Sequence, residues 1–288
     1  MDRFAVLDIG SNSVRLMFVA DGNVLYKRLN TTRLGEGLAQ SPFLKTDAIE
    51  RTARAVADFY ALAKGQGAEC VFAFATAAVR SAKNGDAFVM RVNELCGLTV
   101  EVVDGETEAR LGLLGALKTR DGAVIDVGGA STELVVQTGG EIVYKKSVDI
   151  GVVRLKDKCG RDKTALLQET AARVKEYRDT PIMREVYAIG GTATTLAALK
   201  LGLKEYASAA VTGAEISARE MQETADKLLA TPVEEIAKMP CMPKGRADVL
   251  AGGALWLAVI AKTLGIEKFI VSDCDNLEGY AIERGLLQ

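Results

Sequence analysis

The chain has 288 residues, of which 49% are hydrophobic, and its formal net charge is −2 at pH 7. This length suits two ordinary domains, and the small negative charge excludes the global basic field that draws a protein onto nucleic acid. The sequence contains no histidine, which excludes Ser-His and Cys-His nucleophile pairs, His-ligated zinc and HD-type phosphohydrolase centres. Acid–base chemistry therefore falls to Asp, Glu, Lys, Tyr or Cys.

The first half of the chain predicts alternating strands and helices. Residues 4–8 and 14–20 predict a β-hairpin around a tight turn, and a third strand starts at Asn23. Thr46–Gly65 places apolar residues at helical spacing between a Thr start and a Gly stop. The rest of this half predicts, in order, the strand CVFAFAT, a helix over about 86–96, the strand LTVEVVD and a helix from Gly105.

The second half repeats the pattern. It predicts, in order, three strands in AVIDVGGASTELVVQTGGEIVYKKSVDIG, a helix around 163–177, the strand and helix of EVYAIGGTATTLAALKLG, a helix over 217–229, a long helix over 245–265, the strand KFIVSD and a last helix over 276–287. Strands and helices mixed in this order predict an α/β fold with two sheets flanked by helices. We place a domain boundary near residue 120, giving domains 1–120 and 121–288, with the last helix packed back on the first domain.

Two segments of the chain look like copies of one hairpin. When Asp8 is aligned with Asp126, Gly10 meets Gly128, Ser13 meets Ser131 and Leu16 meets Leu134. One Asp-x-Gly turn is a weak signal, but two copies in matching strand contexts are a much stronger one. The duplication therefore predicts one related site in each half of the chain.

The glycine-rich turns of these hairpins suit an anionic ligand. Glycine lets a ligand approach the backbone closely, and successive N–H groups form a nest for anionic oxygens. Asp8 and Asp126, each at a strand end beside such a turn, would repel phosphate unless a cation lies between them. The pattern predicts a metal–phosphate site with Mg²⁺, or Mn²⁺, as the hard cation. The alternative is that Asp-x-Gly only caps two turns.

Three further segments carry candidate site residues, each with a structural alternative. Gly190, Gly191 and Thr192 follow a strand and open a helix. They could bind an anion at the helix N-terminus or form only an ordinary strand-to-helix turn. Arg80 could clamp phosphate oxygens or be a solvated surface residue. Glu106 and Glu108 begin a helix, so one of them could deprotonate water or both could complement the helix dipole.

Eight segments together resemble one known family. LDIGSNSVRL, TRLGEGL, ATAAVRSAKNG, GETEARLG, VIDVGGASTELV, AIGGTATTLAAL, GRADVLAGGAL and VSDCDNLEG occur in the order found in the exopolyphosphatase / guanosine pentaphosphate phosphatase family. The resemblance spans roughly residues 4 to 286 and corresponds to the short, two-domain form. It implies the actin-like ATPase superfamily fold, with two ribonuclease-H-like domains and a cleft between them.

The resemblance also implies roles for matched positions. Glu108 matches the glutamate regarded as the catalytic base. The expected metal-binding residues are Asp8, Asp126 and Glu133, and the expected phosphate-binding residues are Gly10, Ser11, Asn12, Ser13, Arg80, Gly128, Gly129, Ser131, Gly190, Gly191 and Thr192. The chain departs from the family pattern at Ala130, where a third glycine is usual, at Thr107, where glutamate is common, and at Leu277, which replaces an arginine.

The expected function is an Mg²⁺-dependent exopolyphosphatase that removes terminal phosphate from inorganic polyphosphate. Guanosine pentaphosphate is the alternative substrate, and a kinase or ATPase of the same superfamily and a non-catalytic polyphosphate or alarmone sensor are further alternatives. We expect no nucleic-acid or membrane partner, and we leave a homodimer open. Five scattered cysteines without a CxxC motif and the lack of a signal segment predict a cytoplasmic protein.

Overall fold

The computed structural model describes residues 2–287, which form two β-sheets with helices around them. The first sheet has the strand order β3-β2-β1-β4-β5. Its strands are β1 (Arg3–Ile9), β2 (Ser13–Ala20), β3 (Asn23–Thr31), β4 (Cys70–Ala75) and β5 (Glu101–Val102). Its helices are α1 (Thr46–Gly65), α2 (Ala77–Ser81), α3 (Gly85–Cys96) and α4 (Gly105–Leu117).

The second sheet repeats this arrangement and adds one strand at its edge. Its strands are β6 (Gly122–Val127), β7 (Thr132–Thr138), β8 (Glu141–Val148), β9 (Val186–Ile189), β10 (Glu215–Ser217) and β11 (Lys268–Val271), in the order β10-β11-β9-β6-β7-β8. The helices are α5 (Val152–Cys159), α6 (Lys163–Arg173), α7 (Gly190–Lys200), α8 (Ser208–Val211), α9 (Ala218–Ala230), α10 (Val233–Ile236), α11 (Leu250–Leu264) and α12 (Asn276–Glu283), with a 3₁₀ turn at Val174–Tyr177.

The two sheets share one topology. In each, the first strand pairs antiparallel with the next strand along the chain and parallel with a later one, as β1 does with β2 and β4 and as β6 does with β7 and β9. This is the ribonuclease-H-like arrangement, so the predicted fold class is confirmed. The division into domains at residue 120 stays a prediction, although all strands of the first sheet precede it and all strands of the second follow it.

The central strands are buried on both faces because helices cover both. Residues Phe4–Ile9 of β1 are all buried, which explains their nearly continuous apolar sequence. One face of the first sheet packs on α1 and α3. On the other face, Leu111 of α4 and Leu277 and Tyr280 of α12 pack with Phe4 and Phe74. The opposite side of α4 packs on the second sheet, so α4 lies between the two sheets.

Some predicted elements have different bounds or were missed. The helix predicted over 245–265 begins at Leu250, because Gly245 has a φ of +77° and the residues before Leu250 form turns. The sequence pattern did not predict α2, α5, α8, α10 or β10. These elements have three to eight residues and are too short for a clear periodic signal. None of the helices in the described part of the chain has the length and apolar composition that a bilayer crossing requires.

The contact between α4 and α12 depends on the absence of a side chain at Gly279. A Cβ added there would lie 1.9 Å from the Leu111 carbonyl oxygen. We therefore expect Gly279→Ala to lower the free energy of unfolding by about 1–3 kcal/mol, as overpacking does. Gly252→Ala is the matched control: it is also helical, its added Cβ would have no neighbour nearer than 3.7 Å, and the alanine should stabilise α11 by about 0.5–1 kcal/mol.

Urea denaturation of both variants measures this difference. A Gly279→Ala protein as stable as the wild type would contradict the close helix contact.

Candidate active site

The turns of the two equivalent hairpins meet. Each is closed by the same hydrogen bond, from the Gly10 N–H to the Ser13 carbonyl at 3.0 Å and from the Gly128 N–H to the Ser131 carbonyl at 3.0 Å. A Cβ added at Gly129 would lie 2.9 Å from the backbone nitrogen of Asn12. The two turns are therefore in contact, and together they form the floor of one cleft.

Most of the predicted site residues line this cleft. They are Asp8, Gly10, Ser11, Asn12, Ser13, Glu108, Asp126, Gly128, Gly129, Ser131, Gly190, Gly191 and Thr192. Arg80 and Glu133 do not line the cleft themselves, but each neighbours a residue that does. Arg80 pairs with Glu108, and Glu133 lies opposite Asp126 in the β6–β7 register. Their predicted contacts with phosphate and metal stay predictions.

The two hairpins differ in charge at one equivalent position. Asp8 lies opposite Arg15 in the first hairpin, whereas Asp126 lies opposite Glu133 in the second. Arg15 donates to Asp8 Oδ2 from Nε at 3.1 Å and also from Nη2. The first hairpin therefore neutralises its aspartate internally, and the second hairpin holds two carboxylates face to face.

The second hairpin lacks a positive charge of its own. Burial and the nearby carboxylates of Asp275, Glu108 and Asp8 raise the pKa of Asp126 to about 7, against the opposing effect of Arg15. Burial also holds the pKa of Glu133 well above its ordinary value, and the Glu108 and Asp126 carboxylates add to this effect. Glu133 Oε1 accepts from the Ser147 hydroxyl at 2.7 Å, but Oε2 is buried without a partner among the residues that are described.

These carboxylates fit a divalent cation that also takes oxygens from its ligand. Asp8 Oδ1, like Glu133 Oε2, is buried and has no hydrogen-bond partner within the described chain. Across residues 2–287, no three Asp, Glu or Cys side chains are arranged to hold a metal ion unaided. Mg²⁺ commonly binds through one or two carboxylates together with substrate phosphates and water, and such shared coordination fits this site.

Glu108 faces the cleft from the first turn of α4. Asp104 caps the helix by accepting from the Thr107 N–H at 2.7 Å, and Glu108 is buried. Arg80 Nη1 donates to Glu108 Oε2 at 2.8 Å and to the Val103 carbonyl at 2.9 Å, which fixes the carboxylate. Burial raises the pKa of Glu108, although Arg80 opposes the rise.

Glu106 lies in a different environment on the same helix. Its side chain is exposed and pairs with Lys145 at 2.6 Å, outside the cleft. Of the two glutamates that the sequence analysis left open, Glu108 alone lines the cleft.

The third glycine turn supports Asp126. Gly190 has a φ of +78° and begins α7, and a Cβ there would lie 2.4 Å from Asp126 Oδ1. The residue must therefore be glycine both for its backbone conformation and for the approach of the carboxylate. Thr192 donates to the Val127 carbonyl at 3.4 Å, which ties α7 to the end of β6.

Several residues that line the cleft were not predicted from the sequence, among them Arg15, Thr76, Arg246 and Asn276. Arg246 is only 6% exposed, its Nε is buried without a hydrogen-bond partner, and no carboxylate of residues 2–287 pairs with it. Burial and Arg15 lower its pKa to about 10, so it stays charged at neutral pH. Arg246 lies in GRADVLAGGAL, one of the segments that resemble the family. Arg15 could have been predicted from the hairpin alignment, in which it is the counterpart of Glu133.

An unpaired buried guanidinium on a cleft wall favours an anionic ligand. We expect Arg246→Gln to weaken binding of inorganic tripolyphosphate about 10- to 100-fold, because a hydrogen bond to a charged group contributes about 1.5–3 kcal/mol. The melting temperature should not fall, since the change removes a buried charge that lacks a counterion. Calorimetric titration and thermal melts measure both effects, with Arg178→Gln, at an exposed surface pair, as the control. Unchanged binding would contradict a role for Arg246.

Two ribonuclease-H-like sheets whose first hairpins face one cleft define the actin-like class of fold. The Ppx/GppA phosphatase family model matches residues 4–285, and the chain belongs to this family. Exopolyphosphatase 2 of Mycobacterium tuberculosis is 32% identical over 98% of both chains. The guanosine-5'-triphosphate,3'-diphosphate pyrophosphatase of Vibrio vulnificus is 28% identical over 97% of this chain and 59% of its own.

A solved structure supports the same assignment. The Aquifex aeolicus member of the Ppx/GppA family is 29% identical, covers 99% of this chain and 98% of its own, and superposes with a TM-score of 0.79.

Proposed function

We propose that the protein is an exopolyphosphatase, which uses Mg²⁺ to hydrolyse the terminal phosphate of inorganic polyphosphate. The observation that carries the proposal is one cleft that brings together a buried carboxylate at Glu108, two phosphate-type glycine turns and the unpaired guanidinium of Arg246. The similarity to exopolyphosphatase 2 supports the choice of substrate.

The chain's own groups account for binding and positioning. The turns at 10–13, 128–131 and 190–192 line the cleft. Their hydroxyls, and those N–H groups that do not close the turns themselves, would hold the terminal phosphate oxygens. Arg246 would neutralise further charge on the polyanion. Asp8, Asp126 and Glu133 would hold Mg²⁺, which supplies charge stabilisation at the phosphate oxygens when it is bound.

Glu108 would handle the proton of the attacking water. With no histidine in the sequence, a carboxylate is the leading general base, and a base with a raised pKa accepts a proton more readily. Arg80 keeps the Glu108 carboxylate in one orientation. The water would attack in line with the leaving chain of phosphates, and no covalent phosphoenzyme is involved.

Guanosine pentaphosphate is the second candidate substrate, and one observation favours it. A chamber whose exposed surface is mainly apolar adjoins the cleft and shares Arg15 and Arg246 with it. Tyr206, Pro243 and Leu277 are among its lining residues and would suit a nucleobase. The Vibrio relative, named for action on a guanosine nucleotide, is consistent with this alternative.

Orthophosphate release from long polyphosphate, tripolyphosphate, guanosine pentaphosphate and ATP, measured side by side, tests the proposal. We expect the highest kcat/KM with polyphosphate and weaker binding at high salt, because salt screens exposed contacts to a polyanion. Preference for guanosine pentaphosphate would favour the second candidate, and phosphate transfer from ATP to an added acceptor would indicate a kinase. Tight binding without release at any Mg²⁺ concentration would indicate a sensor.

The cytoplasmic location is part of this proposal and rests on the five cysteines, all of which are free thiols. The homodimer and the absence of nucleic-acid and membrane partners stay predictions.

A further inference from the structure

The turn between β11 and α12 (Ser272–Asp275), together with Asn276, the first residue of α12, touches both hairpins of the cleft. Asp275 and Asn276 are each only 3% exposed. Asp275 Oδ2 accepts from Arg15 Nη1, and Arg15 in turn holds Asp8. Asn276 Nδ2 donates to Asp126 Oδ2 at 3.3 Å. Two adjacent residues are thus linked to both strand-end aspartates.

The fold holds this turn rigidly. Asp275 caps α12 by accepting from the Leu277 N–H at 3.1 Å, and its own N–H donates to Glu278 Oε2 at 3.0 Å. Lys27 of β3 pairs with Glu278 at 2.6 Å and donates to the Asp273 carbonyl at 2.5 Å. The turn is therefore fastened to the first sheet as well as to β11.

The contacts occupy one oxygen of each aspartate. Asp8 Oδ2 accepts from Arg15, while Oδ1 has no partner in the part of the chain that is described. Asp126 Oδ2 accepts from Asn276, while Oδ1 lies against Gly190 in the cleft wall. Each carboxylate is thus fixed through one oxygen, and these contacts leave its other oxygen unused.

The stability of the fold does not by itself explain why position 276 holds an asparagine. Its Oδ1 is buried without a hydrogen-bond partner among residues 2–287, and a buried acceptor without a partner destabilises the fold. An apolar side chain would avoid that cost. A buried polar residue with an unsatisfied oxygen is typical of functional sites, where residues that do not favour stability are most often found.

We propose that Asp275 and Asn276 are positioning residues that orient the two strand-end aspartates for cation binding, Asp275 through Arg15 and Asn276 by direct contact. The inference rests on the proposed function only in taking Asp8 and Asp126 as cation ligands. The alternative is that Asp275 is only a helix cap and Asn276 only a filler.

Two variants separate these roles. Asp275→Asn keeps a good helix-capping residue and removes the charge that holds Arg15. Asn276→Leu removes the donor to Asp126 together with the unsatisfied oxygen. Glu283→Gln is the control, because Glu283 also lies on α12 but pairs with Arg110. The readouts are Mn²⁺ affinity, from the electron paramagnetic resonance signal of free Mn²⁺, together with thermal melts, kcat and KM for polyphosphate.

Loss of a hydrogen-bonded partner behind a metal ligand typically costs about 10- to 100-fold in metal affinity or activity. We expect both variants to lose Mn²⁺ affinity and kcat by about that factor, with KM and the control unchanged and the melting temperature of Asn276→Leu equal to or above that of the wild type. Equal Mn²⁺ affinity in the wild type and both variants would overturn the inference, whatever the substrate proves to be. A wild type that binds Mn²⁺ but hydrolyses no polyphosphate would overturn the proposed function alone. If Asn276→Leu does not fold, Asn276→Ala, which removes the same donor to Asp126 with a smaller side chain, takes its place.

Discussion

Glu108→Gln is expected to lower turnover by about 10²–10⁴-fold, the usual contribution of a general base, while the protein stays folded and still binds substrate. Glutamine keeps the size of the side chain and its hydrogen bond from Arg80 Nη1, but it has no basic oxygen. The loss should appear in kcat, because the interaction with the water's proton develops in the transition state.

Glu106→Gln is the matched control. Glu106 is two residues away on the same helix, but it is exposed and pairs with Lys145. Turnover of both variants at saturating polyphosphate, with thermal melts, measures the difference. Near-normal turnover of Glu108→Gln, or a larger loss in Glu106→Gln, would show that the base has been assigned to the wrong residue.

The pH profile gives an independent check on Glu108. A general base works in its ionised form, so activity is lost as pH falls through its pKa. Burial raises the pKa of Glu108 above its ordinary value. At saturating Mg²⁺, where bound metal would keep Asp126 ionised, the acid limb of the kcat/KM profile should therefore lie at higher pH than for a solvent-exposed glutamate, and the limb should disappear from the residual activity of Glu108→Gln.

The second large effect concerns the cation. Excess chelator should abolish activity, and Mg²⁺ or Mn²⁺ should restore it. Asp126→Asn removes a carboxylate ligand of the cation. It should raise the Mg²⁺ concentration needed for half-maximal activity at least about 10- to 100-fold, which is the typical loss when only a hydrogen-bond partner of a metal ligand is removed. Asp149→Asn, at an exposed position, serves as the control.

The stability of Asp126→Asn should move in the opposite direction to its activity. Burial and neighbouring carboxylates raise the pKa of Asp126 to about 7. The stability of the fold therefore falls as the pH rises from about 4 to 7, because the buried carboxylate ionises beside like charges, and the full loss is present above about pH 7. The neutral amide relieves this repulsion, and the melting temperature at pH 8 without metal should not fall. An unfolded variant would favour the alternative that Asp126 only caps its turn. Full activity in excess chelator would rule out a role for the metal in hydrolysis.

The parts of the site that were predictable from sequence are those encoded locally. The duplicated Asp-x-Gly turns appear in the sequence because each hairpin is one short continuous segment, and both turns reach the same cleft. The bounds of α1 were also predictable, because its start and stop signals are local.

The remaining parts of the site depend on contacts between distant segments. Arg15 meets Asp275 across 260 positions, and Asn276 meets Asp126 across 150. The isolated charge of Arg246 becomes visible only when its surroundings are known, since a lone arginine in sequence usually indicates a solvated side chain. Arg80 shows the same limit: its contact with Glu108 spans 28 positions and joins two helices.

The proposed function requires that this cleft remove terminal phosphates by attack of water. Hydrolysis of polyphosphate of defined length in ¹⁸O-labelled water, with Mg²⁺ present, is the decisive experiment. We expect orthophosphate to appear from the first turnover, each orthophosphate released to carry one ¹⁸O from water, and the remaining chains to shorten one phosphate at a time. Fragments of intermediate length at early times, or orthophosphate without the label, would contradict it.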